Sequence, residues 1–352
     1  MPVGNNVPTT SRRGGEEDNY GAEFALIEDL ARLSPKTFSL EWLKIVTDSF
    51  ADDRILGSGG SGTVYEGHWG DAHGRVAVKI IKPDSPRAKK EFSSEVRTLS
   101  QLRHKNLVQL IGYCHEVNEF IVVYEFIGGG SLEDHLFGDR PLLTWESRYN
   151  IALELALALH YLHKLCHQCV IHRDIKSSNV MLDEKFVVKL GDFGLARLVD
   201  HTGVPNTTEL LGTWGYVAPE CFRESKATMK SDVYSFGVVL LEIVCGIKVI
   251  GSRLGKQGLG LVPWVWKRYG SWSWAGRGNL SWHWRDNFLK VVDRRLSGDF
   301  NKKQAEVLLI VGLWCANPIA ESRPSIEEAM DVLNFKKEPP TIPTQMPSFS
   351  IN

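Results

Sequence analysis

A proton acceptor and two potential metal ligands lie close together near the middle of the sequence. The segment IHRDIKSSN, residues 171–179, contains Asp174 and Asn179, and a DFG motif begins at Asp192, thirteen positions after the asparagine. Asp174 can orient an attacking hydroxyl and accept its proton, while the side-chain oxygens of Asn179 and Asp192 suit a hard cation such as Mg²⁺. This combination indicates phosphoryl transfer.

The residues between these two motifs predict a β-hairpin. Two β-branched and apolar runs, residues 180–182 and 186–190, are separated by the polar residues 183–185. This is the pattern of two short strands joined by a turn. Because a hairpin folds the chain back on itself, we expect Asn179 and Asp192 to converge on one metal site.

A glycine-rich segment lies upstream of these motifs. Residues 57–64, GSGGSGTV, match the pattern GxGxxGxV, in which the missing side chains let backbone N–H groups approach phosphates. A flexible turn and a dinucleotide-binding loop are the alternatives, but a dinucleotide loop opens directly into a helix. Strand-like residues 63–66 follow here, which favours a loop that covers ATP phosphates.

The next strand-like segment, VAVKII at residues 76–81, places a small residue close to a cation. Because side chains alternate along a strand, Ala77 and Lys79 share one face. A small residue beside an ammonium group suits an adenine roof next to phosphates. The alternative is an edge lysine whose stem covers apolar surface.

A helix is predicted after this strand, with Ser85 as its cap and Pro86 in its first turn. Its apolar stripe consists of Phe92, Val96, Leu99 and Leu102. Glu95 lies within the stripe, and a carboxylate on a buried face is costly unless it is paired. Lys79 is the predicted partner, and such a pair positions the phosphates of ATP.

Three further motifs show which known family the chain resembles. They are GDFGLAR at residues 191–197, GTWGYVAPE at 212–220 and LIVGLWCA at 309–316. With the motifs above, they resemble plant receptor-like protein kinases, and most of all the L-type lectin receptor kinases, over residues 38–335. The resemblance implies an α+β, bilobal protein kinase fold with a small β-rich N-lobe and a larger helical C-lobe.

The resemblance also implies how the chain is organised. A mobile N-terminal extension is expected over residues 1–37, the kinase domain over 38–337 and an extended tail over 338–352. The N-lobe is expected at 38–127 and the C-lobe at 128–337, with ATP in the cleft between them. Within the extension, the sequence from Phe24 to Leu33 is compatible with a short helix.

Roles for individual residues follow from the same resemblance. Asp174 is expected as the catalytic base and Lys176 as a contact of the γ-phosphate, with Asn179 and Asp192 as ligands of Mg²⁺ or Mn²⁺. The residues expected around ATP are Gly57, Ser58, Gly59, Gly60, Ser61, Gly62, Val64, Ala77, Lys79, the gatekeeper Tyr124, the hinge from Glu125 to Ile127, and Met181 below the adenine.

Further residues are expected to brace and control the site. The resemblance implies an ion pair between Glu220 and Arg323 and a buried Asp232 that anchors the catalytic loop. Arg173 directly precedes the base, and a buried guanidinium favours an anionic partner, which a phosphothreonine in Thr207-Thr208 can supply. We therefore expect autophosphorylation of this segment to switch the site on.

Composition limits the other possibilities. With 352 residues and 43% hydrophobic content, the chain is long enough for two lobes. A formal charge of −1 argues against nucleic acid as the main partner. The longest apolar run, residues 238–250, is interrupted by Glu242 and Lys248, so no transmembrane segment is expected. The sequence as given has no match to the lectin and membrane parts of the family, and we expect a cytoplasmic protein that reaches the inner face of the plasma membrane through a partner such as a membrane receptor kinase.

Two segments have competing interpretations. His163, Cys166, Cys169 and His172 recur at three-residue spacing, which is compatible with zinc, although a helix-to-strand turn with partly buried thiols is favoured. Residues 271–284 resemble an insertion in a tryptophan-rich region that also contains Trp264 and Trp266. A surface loop that covers its own indoles, or sequence left by altered splicing, is favoured over an aromatic docking patch for a partner.

Three function classes are compatible with the sequence. The leading one is a serine/threonine protein kinase in signal transduction, favoured over a tyrosine kinase by Lys176. A pseudokinase scaffold is the alternative, since Ser61 stands at the loop tip where an aromatic residue often covers the phosphates. A small-molecule phosphotransferase of the same fold is disfavoured by the motif from Ala218 to Glu220, which closes an activation segment.

Overall fold

The fold has a β-sheet lobe and a helical lobe, which confirms the predicted α+β, bilobal architecture. The computed structural model describes residues 35–70, 74–82, 85–116, 119–199, 211–224, 226–249, 260–273 and 289–347. Most of the N-terminal extension, including Phe24 to Leu33, lies outside the described residues.

A six-stranded sheet forms the small lobe. Its strands are β1 (Lys36–Thr37), β2 (Ile55–Ser58), β3 (Gly62–His68), β4 (Arg75–Ile81), β5 (Leu110–Glu116) and β6 (Glu119–Glu125). They lie in the order β1-β5-β6-β4-β3-β2, and all pairs are antiparallel except that of β1 with β5. Along β4, Val76 and Val78 pack in the core on one side of the sheet, so alternation turns Ala77 and Lys79 toward the other side.

Helix α1 (Leu40–Val46) covers the outer face of this sheet. Ser39 caps it, because its hydroxyl accepts a hydrogen bond from the N–H of Trp42 at 3.2 Å. Leu43 and Val46 are buried against the sheet, and the ring of Phe38 stacks on Trp42 with centroids 4.4 Å apart. Apolar residues spaced three to four positions apart therefore pack this helix against the small lobe.

Helix α2 (Ala88–Gln101) packs on the inner face and buries the predicted stripe around Phe92. It begins two residues later than Ser85 and Pro86 suggested. The hydroxyl of Ser85 accepts from the N–H of Arg87 at 3.3 Å within a preceding turn, and Arg87 is the N-cap. Ser85 therefore belongs to the turn that precedes the helix.

The large lobe is mainly helical. Its helices are α3 (Leu132–Phe137), α4 (Trp145–His160), α5 (Pro219–Glu224), α6 (Met229–Cys245), α7 (Leu261–Ser273), α8 (Lys302–Cys315) and α9 (Ile326–Leu333). Its short strands are β7 (Cys169–Ile171), β8 (Val180–Leu182), β9 (Val188–Leu190) and β10 (Arg197–Val199). β8 pairs with β9 and β7 with β10, both antiparallel, so the predicted hairpin is confirmed.

The core of the large lobe is centred on α6, which is buried from Ser231 to Cys245. Its backbone lies close to α8, because a Cβ added at Gly237 would lie 2.6 Å from the N atom of Ala316. A glycine is therefore required where these helices cross. Within the described part of the chain, no helix combines the length and apolar character that a bilayer crossing needs.

The described part of the tail, residues 338–347, lies against α7 without forming a helix or strand. Ile342 is buried in the core, and the indole N–H of Trp266 donates to the carbonyl of Pro343 at 2.9 Å. Trp266 is itself buried. This tryptophan therefore belongs to the lobe core rather than to a surface patch.

A buried arginine joins three parts of the large lobe. Arg148 on α4 is inaccessible to solvent, and its guanidinium donates to the Asp293 carboxylate at 2.7 Å and to the carbonyl of Ile243 on α6 at 2.8 Å. It also donates to the carbonyl of Leu143 at 3.2 Å. Because each partner is buried, the guanidinium cannot be replaced by water.

We predict that Arg148→Ala lowers the free energy of unfolding by about 2–6 kcal/mol, because two buried carbonyls lose their donor at about 1–3 kcal/mol each, while the Asp293 carboxylate keeps its bonds from Arg295. The matched control is Lys337→Ala, which removes an exposed ion pair with Asp331 and should leave the free energy of unfolding almost unchanged. Urea denaturation of both variants measures the difference. Equal losses would contradict a structural role for the buried guanidinium.

Candidate active site

The catalytic loop after β7 is fixed by one buried carboxylate. Asp232 on α6 accepts from the backbone N–H groups of His172 at 2.8 Å and Arg173 at 2.9 Å. Its Oδ2 also lies 3.0 Å from Nε2 of His163. Arg173 is held at a φ of 72°, a conformation that costs a non-glycine residue about 1–3 kcal/mol. These bonds offset that strain and place the next residue, Asp174, toward the cleft.

The predicted base Asp174 lies in a network of three polar side chains. Its Oδ1 accepts from the hydroxyl of Thr213 at 2.7 Å, and its Oδ2 lies 2.8 Å from Nζ of Lys176. The Lys176 ammonium also donates to Thr213 at 2.9 Å. The side-chain amide of Asn179 donates to the carbonyl of Asp174 at 2.8 Å. The network orients the carboxylate for a hydroxyl that enters the cleft.

The hairpin brings the two predicted metal ligands together, as the sequence suggested. The N–H of Gly191, directly before Asp192, donates to the carbonyl of Asn179 at 2.9 Å. The Asn179 amide nitrogen bonds to Asp174, which leaves its amide oxygen for a cation. Burial alone would raise the pKa of Asp192, but the charge of Lys79 lowers it to about 2. An ionised carboxylate and an amide oxygen fit a hard divalent cation.

Lys79 joins three segments of the chain in one ionic cluster. Its Nζ donates to Oε2 of Glu95 at 2.9 Å and to Oδ1 of Asp192 at 2.8 Å. Burial alone would lower the pKa of Lys79, but the charges of Asp192 and Glu95 raise it above its ordinary value. The predicted pair is therefore present, and the ammonium group stays charged at the back of the cleft.

The predicted gatekeeper Tyr124 places a buried hydroxyl beside this cluster. The hydroxyl of Tyr124 and Oε1 of Glu95 are both buried, and neither has a hydrogen-bond partner within the described residues. Burial, together with the neighbouring Glu95 charge, raises the pKa of Tyr124 well above its ordinary value. The tyrosine therefore stays neutral beside the carboxylate.

The glycine-rich loop spans β2 and β3 above the cleft. A Cβ added at Gly57, Gly59 or Gly60 would meet no atom within 4 Å, which leaves room for phosphates to approach the backbone. Gly62 is needed for another reason, because its φ is 150° and a Cβ there would lie 2.1 Å from the carbonyl oxygen of Ile80 on β4. Ser61 at the loop tip donates to Oδ2 of Asp192 at 3.4 Å, so it contacts a predicted metal ligand.

Other predicted nucleotide contacts lie along the strands and the interlobe segment. Ser58 faces Thr63 across the β2–β3 pair, and Val64 pairs with Lys79 across β3 and β4. Ala77 pairs with Tyr124 across β4 and β6. Further predicted contacts are at the end of β6, in the following segment and on β8: Glu125, Ile127 and Met181.

The lower lobe contains the predicted brace between Glu220 and Arg323. The guanidinium donates to both carboxylate oxygens, at 2.6 and 2.7 Å, which is the strong two-pronged geometry of an arginine and a carboxylate. Arg323 is buried. This pair holds α5, the helix that follows Ala218, against the end of the domain.

One polar chain near the base was not foreseen. The hydroxyls of Ser177 and Tyr216 lie 3.0 Å apart, and Tyr216 donates to Oε2 of Glu242 on α6 at 2.8 Å. The N–H of Val249 donates to Oε1 of the same carboxylate at 2.9 Å. The signal in the sequence is the charge of Glu242 within an apolar run, which also argues against a membrane span.

The zinc alternative is not supported within the described residues, which contain no group of three metal-binding side chains. His163 bonds to Asp232, and Nε2 of His172 lies 3.1 Å from the carbonyl of Gly191. Burial raises the pKa of the Cys169 thiol to about 11, which keeps it protonated. The proposed phosphosite Thr207-Thr208 and residues 274–284 of the tryptophan-rich insertion lie outside the described part of the chain.

Comparisons with known proteins agree with this geometry. A model of the family described as protein tyrosine and serine/threonine kinase matches residues 50–252. The chain is 49% identical over 324 residues to the L-type lectin-domain containing receptor kinase IX.1 of Arabidopsis thaliana, which is 91% of this chain and 48% of that protein. For receptor kinase IX.2 of the same plant the identity is 47% over 350 residues, covering 97% and 50%.

A rice receptor kinase is similar over a comparable part of the chain. The chain is 39% identical over 319 residues to the L-type lectin-domain containing receptor kinase SIT2 of Oryza sativa subsp. japonica, covering 90% of this chain and 45% of that protein. The chain thus spans about half the length of the curated relatives it matches.

We predict that Glu242 makes stability depend on pH. Burial raises the pKa of Glu242 to about 7, although the hydrogen bonds from Val249 and Tyr216 act to lower it. The folded state therefore holds this proton more tightly than the unfolded state, so stability is lost as pH rises from about 4.5 to 7. Relative to wild type, Glu242→Gln should gain up to about 1.4 kcal/mol per pH unit within that window.

Urea unfolding of both proteins at several pH values between 4.5 and 8 checks this slope. The glutamine side chain also changes stability by an amount that does not depend on pH, and this leaves the slope unaffected. A control variant, Glu41→Gln on the exposed side of α1, should keep a constant difference from wild type. A difference between Glu242→Gln and wild type that is flat across this range would contradict the raised pKa.

Proposed function

This chain belongs to the family of protein tyrosine and serine/threonine kinases, and we propose that it transfers the γ-phosphoryl group of ATP to serine and threonine hydroxyls of proteins, its own included. Phosphoryl transfer from a nucleotide bound with divalent metal is the chemistry of this family. The observation that carries the proposal is the position of Lys79, whose ammonium contacts both Glu95 and Asp192. This arrangement supports an active kinase over a pseudokinase scaffold.

The residues of the cleft support distinct roles in this reaction. Asp174 accepts the proton of the substrate hydroxyl, and Lys176 beside it favours a serine or threonine substrate. Lys79 binds phosphate oxygens, and Glu95 holds its ammonium group in place. Asp174 therefore acts on the substrate, Lys79 and Lys176 act on the nucleotide phosphates, and Glu95 acts through Lys79.

The donor set of the cleft fits Mg²⁺ or Mn²⁺. Asn179 and Asp192 offer oxygen atoms from neighbouring points of the hairpin, and hard cations prefer such ligands. When bound, the ion neutralises charge on the triphosphate and holds it in line for attack. The glycine-rich loop supplies backbone N–H groups where Gly57, Gly59 and Gly60 leave open space.

The similarity to receptor kinases also suggests a role for the whole protein. We propose a signalling role, with protein substrates and a membrane receptor kinase as a partner at the inner face of the plasma membrane. The similarity to receptor kinases of Arabidopsis and rice supports this role. For the organisation of the chain, we propose a kinase domain at residues 38–337, with its small lobe at 38–127 and its large lobe at 128–337, between an N-terminal extension and a tail at 338–352.

We predict that Asp174→Asn lowers turnover by about 10²- to 10⁴-fold, the usual contribution of a positioned base, and that Asp192→Ala abolishes transfer with little loss of fold. Labelled ATP with Mg²⁺ or Mn²⁺ is supplied to each variant, and self-labelling and labelling of a generic protein substrate are measured. Glu41→Gln, an exposed carboxylate on α1, is the control and should keep full activity. Turnover by Asp192→Ala, or label found on tyrosine alone, would contradict the proposal.

We predict that Lys79 and Glu95 act as a unit. Lys79→Met should remove most activity, and Glu95→Ala added to it should cost little more, because the carboxylate acts by holding the ammonium group. Turnover of wild type, both single variants and the double variant gives the coupling energy, expected at about 0.5–3 kcal/mol. Losses that simply add would show that the two side chains act independently.

A further inference from the structure

A cleft on the large lobe is separate from the candidate active site. It has a volume of about 380 Å³ and lies between α4, the β8–β9 turn and the segment before β5. Its apolar lining includes Leu153, Leu157 and Val187, each partly exposed. None of the nucleotide, metal or catalytic residues proposed above lines it. The apolar lining favours a ligand with apolar side chains.

Two lysines give the cleft a positive charge. Lys105 and Lys185 both line it and are exposed. Within the described residues, neither ammonium group has a hydrogen bond or an ion pair. The one carboxylate in the lining, Glu154, accepts from the N–H of Val188 at 2.7 Å. The cleft therefore combines an apolar lining with two cations that are available to carboxylates.

The strand register shows which part of the chain can reach this cleft. β1 runs parallel to β5, and Lys36 is the register partner of Gly112. Residues before Lys36 must therefore leave β1 from the end at which residues before Gly112 enter β5. Asp29 precedes Lys36 by seven residues, and Lys105 precedes Gly112 by the same seven. A chain of this length spans up to about 24 Å when extended, so a carboxylate at Asp29 is within reach of Lys105.

The segment that arrives there has complementary chemistry. Residues 16–31 contain six carboxylates and no lysine or arginine. The large apolar residues near its end are Phe24, Leu26, Ile27 and Leu30, and Glu28 and Asp29 lie among them. We propose that the cleft binds this acidic segment of the same chain, with carboxylates at the two lysines and apolar side chains on the lining.

Tethering makes such binding effective even when its contacts are weak. A segment attached a few residues away has a high effective concentration at the cleft, typically in the millimolar range for short flexible links. The segment would then continue from the edge strand of the small lobe onto α4 of the large lobe. Its binding would link the two lobes on a face that holds none of the catalytic residues.

Zero-length carbodiimide cross-linking of the whole chain tests the contact directly, because it joins only carboxylates and amines that touch. Peptide mapping of the monomeric fraction should find residues 16–31 joined to Lys105 or Lys185. Cross-links found only in a dimeric fraction would overturn the proposal in favour of a second copy as the occupant. An absence of cross-links to both lysines would overturn it as well.

Charge exchange gives an independent readout. Docking should slow tryptic cleavage after Arg32, and Lys105→Glu/Lys185→Glu should make that cleavage severalfold faster. Adding Glu28→Lys/Asp29→Lys should restore slow cleavage by reversing both charges. The matched control is Lys44→Glu/Lys164→Glu, two exposed lysines away from the cleft, which should leave the rate unchanged. Unaltered kinase turnover in each variant shows that it is folded, and equal cleavage rates across the set would refute the proposal.

Discussion

The site depends on one buried carboxylate. Asp232 lies on the most deeply buried helix, and it receives two backbone N–H groups and an imidazole from the segment before the base. A buried charge is tolerated only when its hydrogen bonds are made. The same bonds hold Arg173 in its left-handed conformation, so the position of Asp174 is determined by the core and not by the loop alone.

A series of short polar contacts connects this part of the large lobe to the small lobe. Asn179 bonds to Asp174, the hairpin returns the chain to Asp192, and Asp192 contacts Lys79 on β4. Each contact links elements that are distant in sequence, so the cleft is assembled only when both lobes are folded. A substitution at any of these positions therefore lowers activity more than the buried surface area of the replaced residue alone would suggest.

Local patterns determined much of this arrangement, and tertiary contacts determined the rest. The β8–β9 hairpin and the burial of Glu95 could be predicted from the sequence, because turn residues and periodicity act over a few positions. The first turn of α2 was misplaced, since Ser85 serves a turn. The chain from Ser177 through Tyr216 to Glu242 links three separate segments, and no local pattern specifies such a contact.

The packing of the tail also affects how the protein is made. The indole of Trp266 bonds to a carbonyl 77 positions further along the chain, and the backbone of Thr344 fills the space beside Gly270. At the ribosome, roughly 4–15 seconds pass between synthesis of these two parts, given the usual elongation rates. During that interval the tail residues that pack on α7 have not yet been synthesised. A truncated chain that ends before residue 342 would retain that exposed apolar face permanently, which makes it a substrate for chaperones or aggregation.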